Sequence, residues 1–160
     1  MTRGTKLDLA KDVWTEVLGY IFAHREQTFD AVAQLGLTPG HMKTLFELDP
    51  DVGCSMSELA NTLHCDASNA TWLVDRLEER GLVERRPHPR DRRVKTVVLT
   101  PAGVATKQML VERLSEPPSD LLALDRDALE QLHAALALLP VHPPFWAPTP
   151  GLPCPVEDAV

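Results

Sequence analysis

The sequence lacks the long hydrophobic runs of a membrane protein. Its longest uninterrupted apolar stretch, residues 134–139, is far shorter than the roughly 20 residues that a membrane-spanning helix needs. Aromatic residues make up only 5% of the chain, and its three cysteines, Cys54, Cys65 and Cys154, match neither a disulfide framework nor a zinc finger in their spacing. Charged residues crowd the first dozen positions, which leaves no apolar core for a signal peptide. We therefore expect a cytoplasmic protein without a membrane partner.

Positive charge is also scarce overall but is concentrated in one segment. The 160 residues carry a net charge of −7, which by itself argues against a nucleic-acid partner. Residues 85–95 nevertheless contain six basic side chains and one acid, Asp91, which gives this segment +5 and leaves −12 for the rest. Such a cluster is either a phosphate-binding surface or a solvated loop, and charge alone does not decide between them.

A long amphipathic helix is predicted near the N-terminus. Between residues 7 and 34, apolar side chains recur with helical spacing. A helix of that length measures about 40 Å, more than a small globule can cover with its own core. We therefore assign residues 1–36 to a dimerisation helix that packs partly on a second copy of the chain.

Residues 37–100 have the order of a winged helix-turn-helix. Thr38 and Pro39 start one helix, Ser55 and Glu58 form a capping box for a second, and Asp66 caps a third that stops near Gly81. Two β-branched segments, 82–86 and 94–99, then flank the basic loop and predict a hairpin. The fold class is therefore mainly α with a small β-hairpin wing.

Residues 101–140 complete the predicted dimerisation region. Thr100 and Pro101 start a helix that runs to about Ser115, and Asp125 caps a last helix that stops at Pro140. Residues 141–160 contain six prolines and predict an extended tail, which could lie over a neighbouring molecule through Phe145 and Trp146.

The helix after Asp66 has the residue types of a DNA-reading helix. In a winged helix-turn-helix this element enters the major groove while the wing reaches the adjoining backbone or minor groove. If its apolar positions face the core, the opposite face carries Ser68, Asn69, Thr71, Trp72, Asp75 and Arg76. Small polar side chains near a helix N-terminus can approach base edges and phosphates. The wing adds Arg86, Arg90, Asp91, Arg92, Arg93 and Lys95 as candidate contacts. A plain surface helix with a good cap is the alternative for this element taken alone.

Six ordered motifs resemble the MarR family of bacterial transcription regulators. They are, in chain order, SELA (57–60), DASNAT (66–71), LVDRLE (73–78), GLVER (81–85), DRRVK (91–95) and LTPAG (99–103). The resemblance spans roughly residues 7–139 and implies an intertwined homodimer that binds double-stranded DNA at a pseudo-palindromic operator. It also implies that Arg93 enters the minor groove while Asp91 orients it. Trp72 departs from the family, so a thymine-methyl contact and simple packing are equally open there.

The resemblance further implies a small aromatic or anionic effector. Trp14, Phe22, His41 and Met42 are candidates to line its pocket, together with Phe46, although ordinary core packing explains the same spacing. His24, Arg25 and His41 are candidate anchors for an anion. Cys54 and Cys65 offer only a weak case for redox sensing.

No catalytic residues, metal ligands or cofactor sites are predicted. His64 and Cys65 are adjacent, but nothing in the sequence supplies the third group that would orient a nucleophile and its base. The leading hypothesis is a homodimeric repressor that an effector releases from DNA. The alternative is a winged-helix module that binds another protein and no DNA.

Overall fold

The computed structural model describes residues 4–88 and 94–140 and is mainly helical. Its elements, in chain order, are α1 (Lys6–Gln34), α2 (Pro39–Glu47), β1 (Cys54–Ser55), α3 (Met56–Leu63), α4 (Ala67–Glu79), β2 (Val83–Pro87), β3 (Lys95–Leu99), α5 (Pro101–Leu114), α6 (Ser119–Leu122) and α7 (Arg126–Leu136). The predicted fold class is confirmed. The predicted wing tip and proline-rich tail lie outside the described residues.

The main helices after α1 begin at the caps that the sequence predicts, whereas the capping box of α1, formed by Thr5 and Asp8, was not predicted. Thr38 and Ser55 accept hydrogen bonds from the backbone of the residue three positions on, and their partners His41 and Glu58 complete capping boxes. Asp66 caps α4 through the N–H of Asn69 at 2.7 Å. Local chemistry therefore fixes where the helix-turn-helix begins and how its helices follow one another.

The sheet contains one strand more than the predicted hairpin. β2 and β3 pair antiparallel with Val83 opposite Leu99, and the two-residue β1 pairs with the other edge of β3, with Cys54 opposite Val97. Two residues are too few to show an alternating pattern, so β1 carries no periodic signal in the sequence. The short α6, which follows Pro117 and Pro118, is also absent from the prediction, because four residues are too few to show helical periodicity.

The hydrophobic core lies within the winged helix. Its fully buried side chains come from α1, α2, α3, α4, the sheet and α5, and include Val32, Leu45, Leu59, Val74, Leu77, Val83, Val97 and Leu110. Of the 29 residues of α1, only Val32 is buried. The core therefore holds the C-terminal end of α1 and leaves most of the rest of that helix exposed in the single chain.

Many apolar side chains remain exposed on α1 and on the C-terminal helices. The largest are Leu7, Leu9, Val13, Trp14, Val17, Tyr20, Ile21, Phe22, Phe29, Leu122, Leu124, Leu132, Leu136, Leu138 and Leu139. The last helix ends at Leu136, slightly earlier than predicted, and none of its residues is buried. Exposed apolar surface of this extent is typical of a protein interface.

Basic side chains from other helices cap the C-termini of α1, α2 and α3. None of these helices has a basic residue in its own last turn. Arg80 donates to the carbonyl of Leu35 at 2.7 Å and to that of Gly36, Lys43 donates to Leu63 at 3.0 Å, and Lys107 donates to Phe46 and Leu48 at 3.0 and 2.9 Å. Positive charge at a helix C-terminus satisfies its open carbonyls and stabilises its dipole. The caps therefore join α1 to α4, α3 to α2, and α2 to α5.

Candidate nucleic-acid interface

The N-terminus of α4 is organised around Asp66. Its carboxylate accepts the backbone N–H of Asn69 and the hydroxyl of Ser68, the latter at 2.6 Å. The hydrogen bond from Ser68 and that from Asn69 lower the pKa of Asp66, so the cap stays ionised. The hydroxyl of Ser68 therefore donates its proton within the protein, so towards an external partner it can act only as an acceptor.

One face of α4 presents the six side chains that the sequence places opposite the core. Ala70, Leu73, Val74 and Leu77 are buried, while Ser68, Asn69, Thr71, Trp72, Asp75 and Arg76 are exposed. We call these six exposed residues the reading face. Thr71 donates its hydroxyl to the carbonyl of Ala67 at 2.7 Å, as a threonine in a helix often does. Asn69 has an exposed side-chain amide whose donors and acceptor can pair with a base edge.

Trp72 is packed on one side and open on the other. Its ring stacks on that of His41 in α2, with 5.6 Å between centroids and 18° between planes, and the Arg76 guanidinium lies 6.0 Å from the indole centroid. The side chain is still 48% exposed. Packing therefore accounts for one face of the indole, and the rest is available to a partner.

His41 is a buried neutral histidine beneath Trp72. Its Nδ1 accepts the N–H of Thr38 at 3.2 Å, and Nε2 has no hydrogen-bond partner among the described residues. Burial lowers the pKa of His41, and the charges of Arg80 and Arg76 lower it further. Because Nδ1 acts as the acceptor, the neutral ring carries its proton on Nε2.

Two cations of the predicted site are paired with acids in the free protein. Arg76 binds Glu79 at 2.7 Å on the same helix, and Arg86 binds Glu84 on the same strand. Both pairs are exposed, so water screens them and a phosphate can replace the carboxylate at little cost. Lys95 is exposed opposite Pro87 at the base of the wing. Arg90, Asp91, Arg92 and Arg93 lie outside the described residues.

The sequence identifies Arg85 only as one member of the basic cluster, but in the structure its side chain contacts α4. Its guanidinium binds Asp75 at 2.6 Å and also binds Glu78, both on α4. Burial lowers the pKa of Arg85, but the hydrogen bond to Asp75 and the charges of Glu78 and Asp75 outweigh it and raise the pKa overall. The spacing of Asp75 and Glu78, one helical turn apart just before the basic strand, is the signal that points to this arrangement.

The predicted effector-pocket residues are not brought together. Trp14 and Phe22 are 61% and 60% exposed on α1, whereas His41 and Met42 are buried in the winged helix. A cavity of about 690 Å³ lies instead between the second half of α1 and the end of α5, lined by His24, Gln27, Thr28, Asp30, Ala31, Gln34, Arg113, Leu114, Glu116 and Pro118. None of the four predicted residues lines this cavity, and their assignment to an effector pocket stays a prediction. Of the three candidate anchors, only His24 reaches this cavity.

The described residues, 4–88 and 94–140, contain no group of three or more His, Cys, Asp or Glu side chains that could hold a metal ion. Within the same part of the chain, no helix is long and apolar enough to cross a bilayer.

Comparison with known proteins connects this geometry to a family. The sequence model of the MarR family matches residues 37–95, which contain the helix-turn-helix and most of the wing. A putative transcriptional regulatory protein for the hcr operon of Thauera aromatica is 32% identical over 110 residues, 69% of this chain and 66% of that protein. An HTH-type transcriptional repressor of Bacillus subtilis, MdtR, is 30% identical over 48% of this chain and 50% of its own length. The chain spans between 49% and 66% of the length of the curated relatives it matches.

Solved structures share the architecture well beyond the winged helix. The YusO protein of Bacillus subtilis superimposes with a TM-score of 0.67 over 84% of this chain and 96% of that one, at 22% identity. The transcriptional repressor CouR, solved bound to a 23-mer DNA duplex, is 29% identical with a TM-score of 0.56 over 85% of this chain and 97% of that one. The same order of helices and wing thus recurs with the family's sequence motifs, and the chain belongs to the MarR family.

Proposed function

We propose that this protein is a DNA-binding transcription regulator that recognises a specific sequence through the reading face of α4. The observation that carries the proposal is the exposure of those six side chains beside a basic hairpin. A helix N-terminus with short polar side chains suits base edges and phosphates, and a hairpin suits the flanking backbone. The relatives support this proposal, because CouR is described as a repressor bound to DNA and the Thauera protein as a putative transcriptional regulator.

The contacts divide into two kinds. Asn69 is assigned to base edges, with Ser68, Thr71 and Trp72 beside it, because these residues lie on the first turns of α4. Arg76, Arg86 and Lys95 are assigned to phosphates. The wing-tip residues Arg90, Arg92 and Arg93, with Asp91 as the orienting acid, keep the assignment to backbone and minor groove that the sequence gives them.

A homodimer is proposed because the exposed apolar side chains of α1 and α7 need cover. A symmetric pair of chains would bury both sets and present two α4 helices to half-sites about one helical turn of DNA apart. Repression of the bound operator is the proposed output, as the names of MdtR and CouR suggest for those proteins.

An aromatic or anionic effector is proposed to bind in the cavity between α1 and α5. Arg113 supplies its cationic side, and the cavity adjoins α6 through the contact of His24 Nε2 with Asp120 Oδ1 at 3.2 Å. Benzoate is a simple probe of this class, and it should weaken DNA binding by wild-type protein. Arg113→Gln should abolish that effect without changing DNA affinity, whereas a full response in the variant would exclude this cavity.

Selection of duplexes from a random pool tests the proposed function. The protein should enrich a sequence with dyad symmetry, and its affinity should fall steeply with salt, by about 0.9 in the log-log slope for each phosphate contacted. A pool that shows no enrichment, together with binding that is insensitive to salt, would favour the alternative of a protein-interaction module. That alternative keeps the same exposed face but requires no basic wing.

A further inference from the structure

Arg85 forms a bridge between the wing and the DNA-reading helix. From β2, its guanidinium donates to Asp75 Oδ1 at 2.6 Å and to Glu78 Oε2, while its backbone N–H donates to Glu78 Oε1 at 3.2 Å. β2 is an edge strand of the sheet, so this outward-facing N–H has no neighbouring strand to bind. We call Arg85, Asp75 and Glu78 the wing clamp.

The neighbouring Arg86 shows what distinguishes the clamp. The side chain of Arg86 is 55% exposed and pairs with Glu84 on its own strand, whereas that of Arg85 is 21% exposed and, among the described residues, pairs only with acids of α4. An ion pair between two residues of the same strand does not fix the orientation of any other element. The wing clamp instead ties β2 to a helix that precedes it by only a short turn, in which Gly81 has a φ of +66°.

We propose that Arg85 is a positioning residue, which holds the wing at a fixed angle to α4 so that both elements meet the duplex together, and that it does not itself bind phosphate. This inference rests on the proposed function. A hairpin that is already oriented loses less conformational entropy when it binds DNA, and the affinity is higher for that reason.

The clamp requires arginine rather than any cation. A guanidinium presents several donors in a planar fork and can bind two carboxylates at once, whereas a lysine ammonium acts as a compact point charge. Lysine at residue 85 would therefore keep the charge and lose the geometry. If Arg85 were a phosphate contact, lysine would replace it well.

Lysine substitutions at residues 85 and 126 separate these two roles. Arg85→Lys should weaken binding to a selected duplex by about tenfold, while the control Arg126→Lys, at an arginine of α7 that is 89% exposed, should bind nearly as wild type. The salt slope should be unchanged in both variants, because the charge is kept. Wild-type affinity in Arg85→Lys would overturn the inference.

Removing an acid from α4 gives a test in which the two roles predict opposite signs. Glu78→Ala makes the protein less negative, so charge alone predicts tighter DNA binding, but loss of the clamp predicts weaker binding by about tenfold. The control Glu79→Ala removes an acid that pairs with Arg76 on the same helix and should not weaken binding. The double variant Arg85→Lys/Glu78→Ala should bind no more weakly than either single variant, because both break the same contact. Tighter binding by Glu78→Ala, or additive losses in the double variant, would contradict the clamp.

Hydrogen exchange tests the clamp without DNA. The amide of Arg85 should exchange faster in Glu78→Ala than in Glu79→Ala, since only the former loses the acceptor of that N–H. If this difference appears but wild type binds no DNA, the proposed function fails and the clamp stands. If wild type binds DNA while the clamp variants exchange and bind like their controls, the inference fails alone.

Discussion

Gly103 in α5 lies so close to the backbone of Leu82 that no side chain fits there. A Cβ built on this glycine would lie 1.9 Å from the carbonyl oxygen of Leu82 and 3.2 Å from a methyl carbon of Leu99. That oxygen belongs to the backbone and already accepts the N–H of Thr100 at 3.1 Å, so it cannot yield without disturbing the start of α5. Gly103→Ala should therefore be destabilising, although alanine is intrinsically the better helix former.

The size of the effect follows from two opposing contributions. Helix propensity favours alanine by about 1 kcal/mol, whereas overpacking against fixed backbone costs about 3 kcal/mol or more. The net loss of about 2 kcal/mol corresponds to a melting temperature lower by about 4–8 °C for a chain of this size.

Thermal unfolding at one fixed protein concentration measures this change, because assembly makes the melting temperature depend on concentration. Ala105→Gly, at an exposed position of the same helix, should lose only the propensity of about 1 kcal/mol. If Gly103→Ala melts at or above the wild-type temperature, the close approach of α5 to Leu82 is wrong.

Three further predictions follow from buried polar contacts and exposed apolar surface. Lys107→Met should lower the free energy of unfolding by about 1–3 kcal/mol in denaturant titration, because the carbonyls of Phe46 and Leu48 lose their charged donor. An unchanged midpoint would show that the contact of Lys107 with the end of α2 contributes nothing to stability. The free energy of unfolding should fall as pH drops below 6.5, because the unfolded chain then takes up a proton that burial and the charges of Arg80 and Arg76 keep off His41. His41→Gln should flatten that part of the pH profile, whereas His64→Gln, at an exposed histidine, should leave the dependence on His41 intact. Sedimentation should give about twice 17.7 kDa for wild type, while Leu132→Asp/Leu136→Asp should sediment as a folded monomer. A wild-type monomer at micromolar concentration would exclude the proposed dimer.

Local signals carried the sequence-based prediction of the fold. The caps at Thr38, Ser55, Asp66, Thr100 and Asp125 each set a helix start through contacts within three residues, so they can be seen without knowledge of tertiary structure. β1 could not be found in this way, because its two residues become a strand only by pairing with β3.

In the candidate site, too, local features were predictable and contacts between distant residues were not. The exposed positions of α4 follow from helical periodicity once its buried side is known, and all six were predicted correctly as exposed. Contacts between different elements were not predicted, and they change the role of individual residues. The sequence groups Arg85 with the basic cluster, whereas in the structure its guanidinium binds Asp75 and Glu78. The stacking of His41 on Trp72 likewise joins residues 31 positions apart.

The most direct test of the account is the sequence preference of the reading face itself. Equilibrium titrations should compare wild type, Asn69→Ala and the amide control Gln108→Ala against a selected duplex and a scrambled one. Asn69→Ala should lose about 1–3 kcal/mol of discrimination between the duplexes, with little change on scrambled DNA, and Gln108→Ala should match wild type. Melting curves should be similar in all three, because both amide side chains are exposed. Wild-type protein that binds both duplexes equally, or an Asn69→Ala variant that keeps the full preference, would contradict the assignment of α4 as the element that reads DNA sequence.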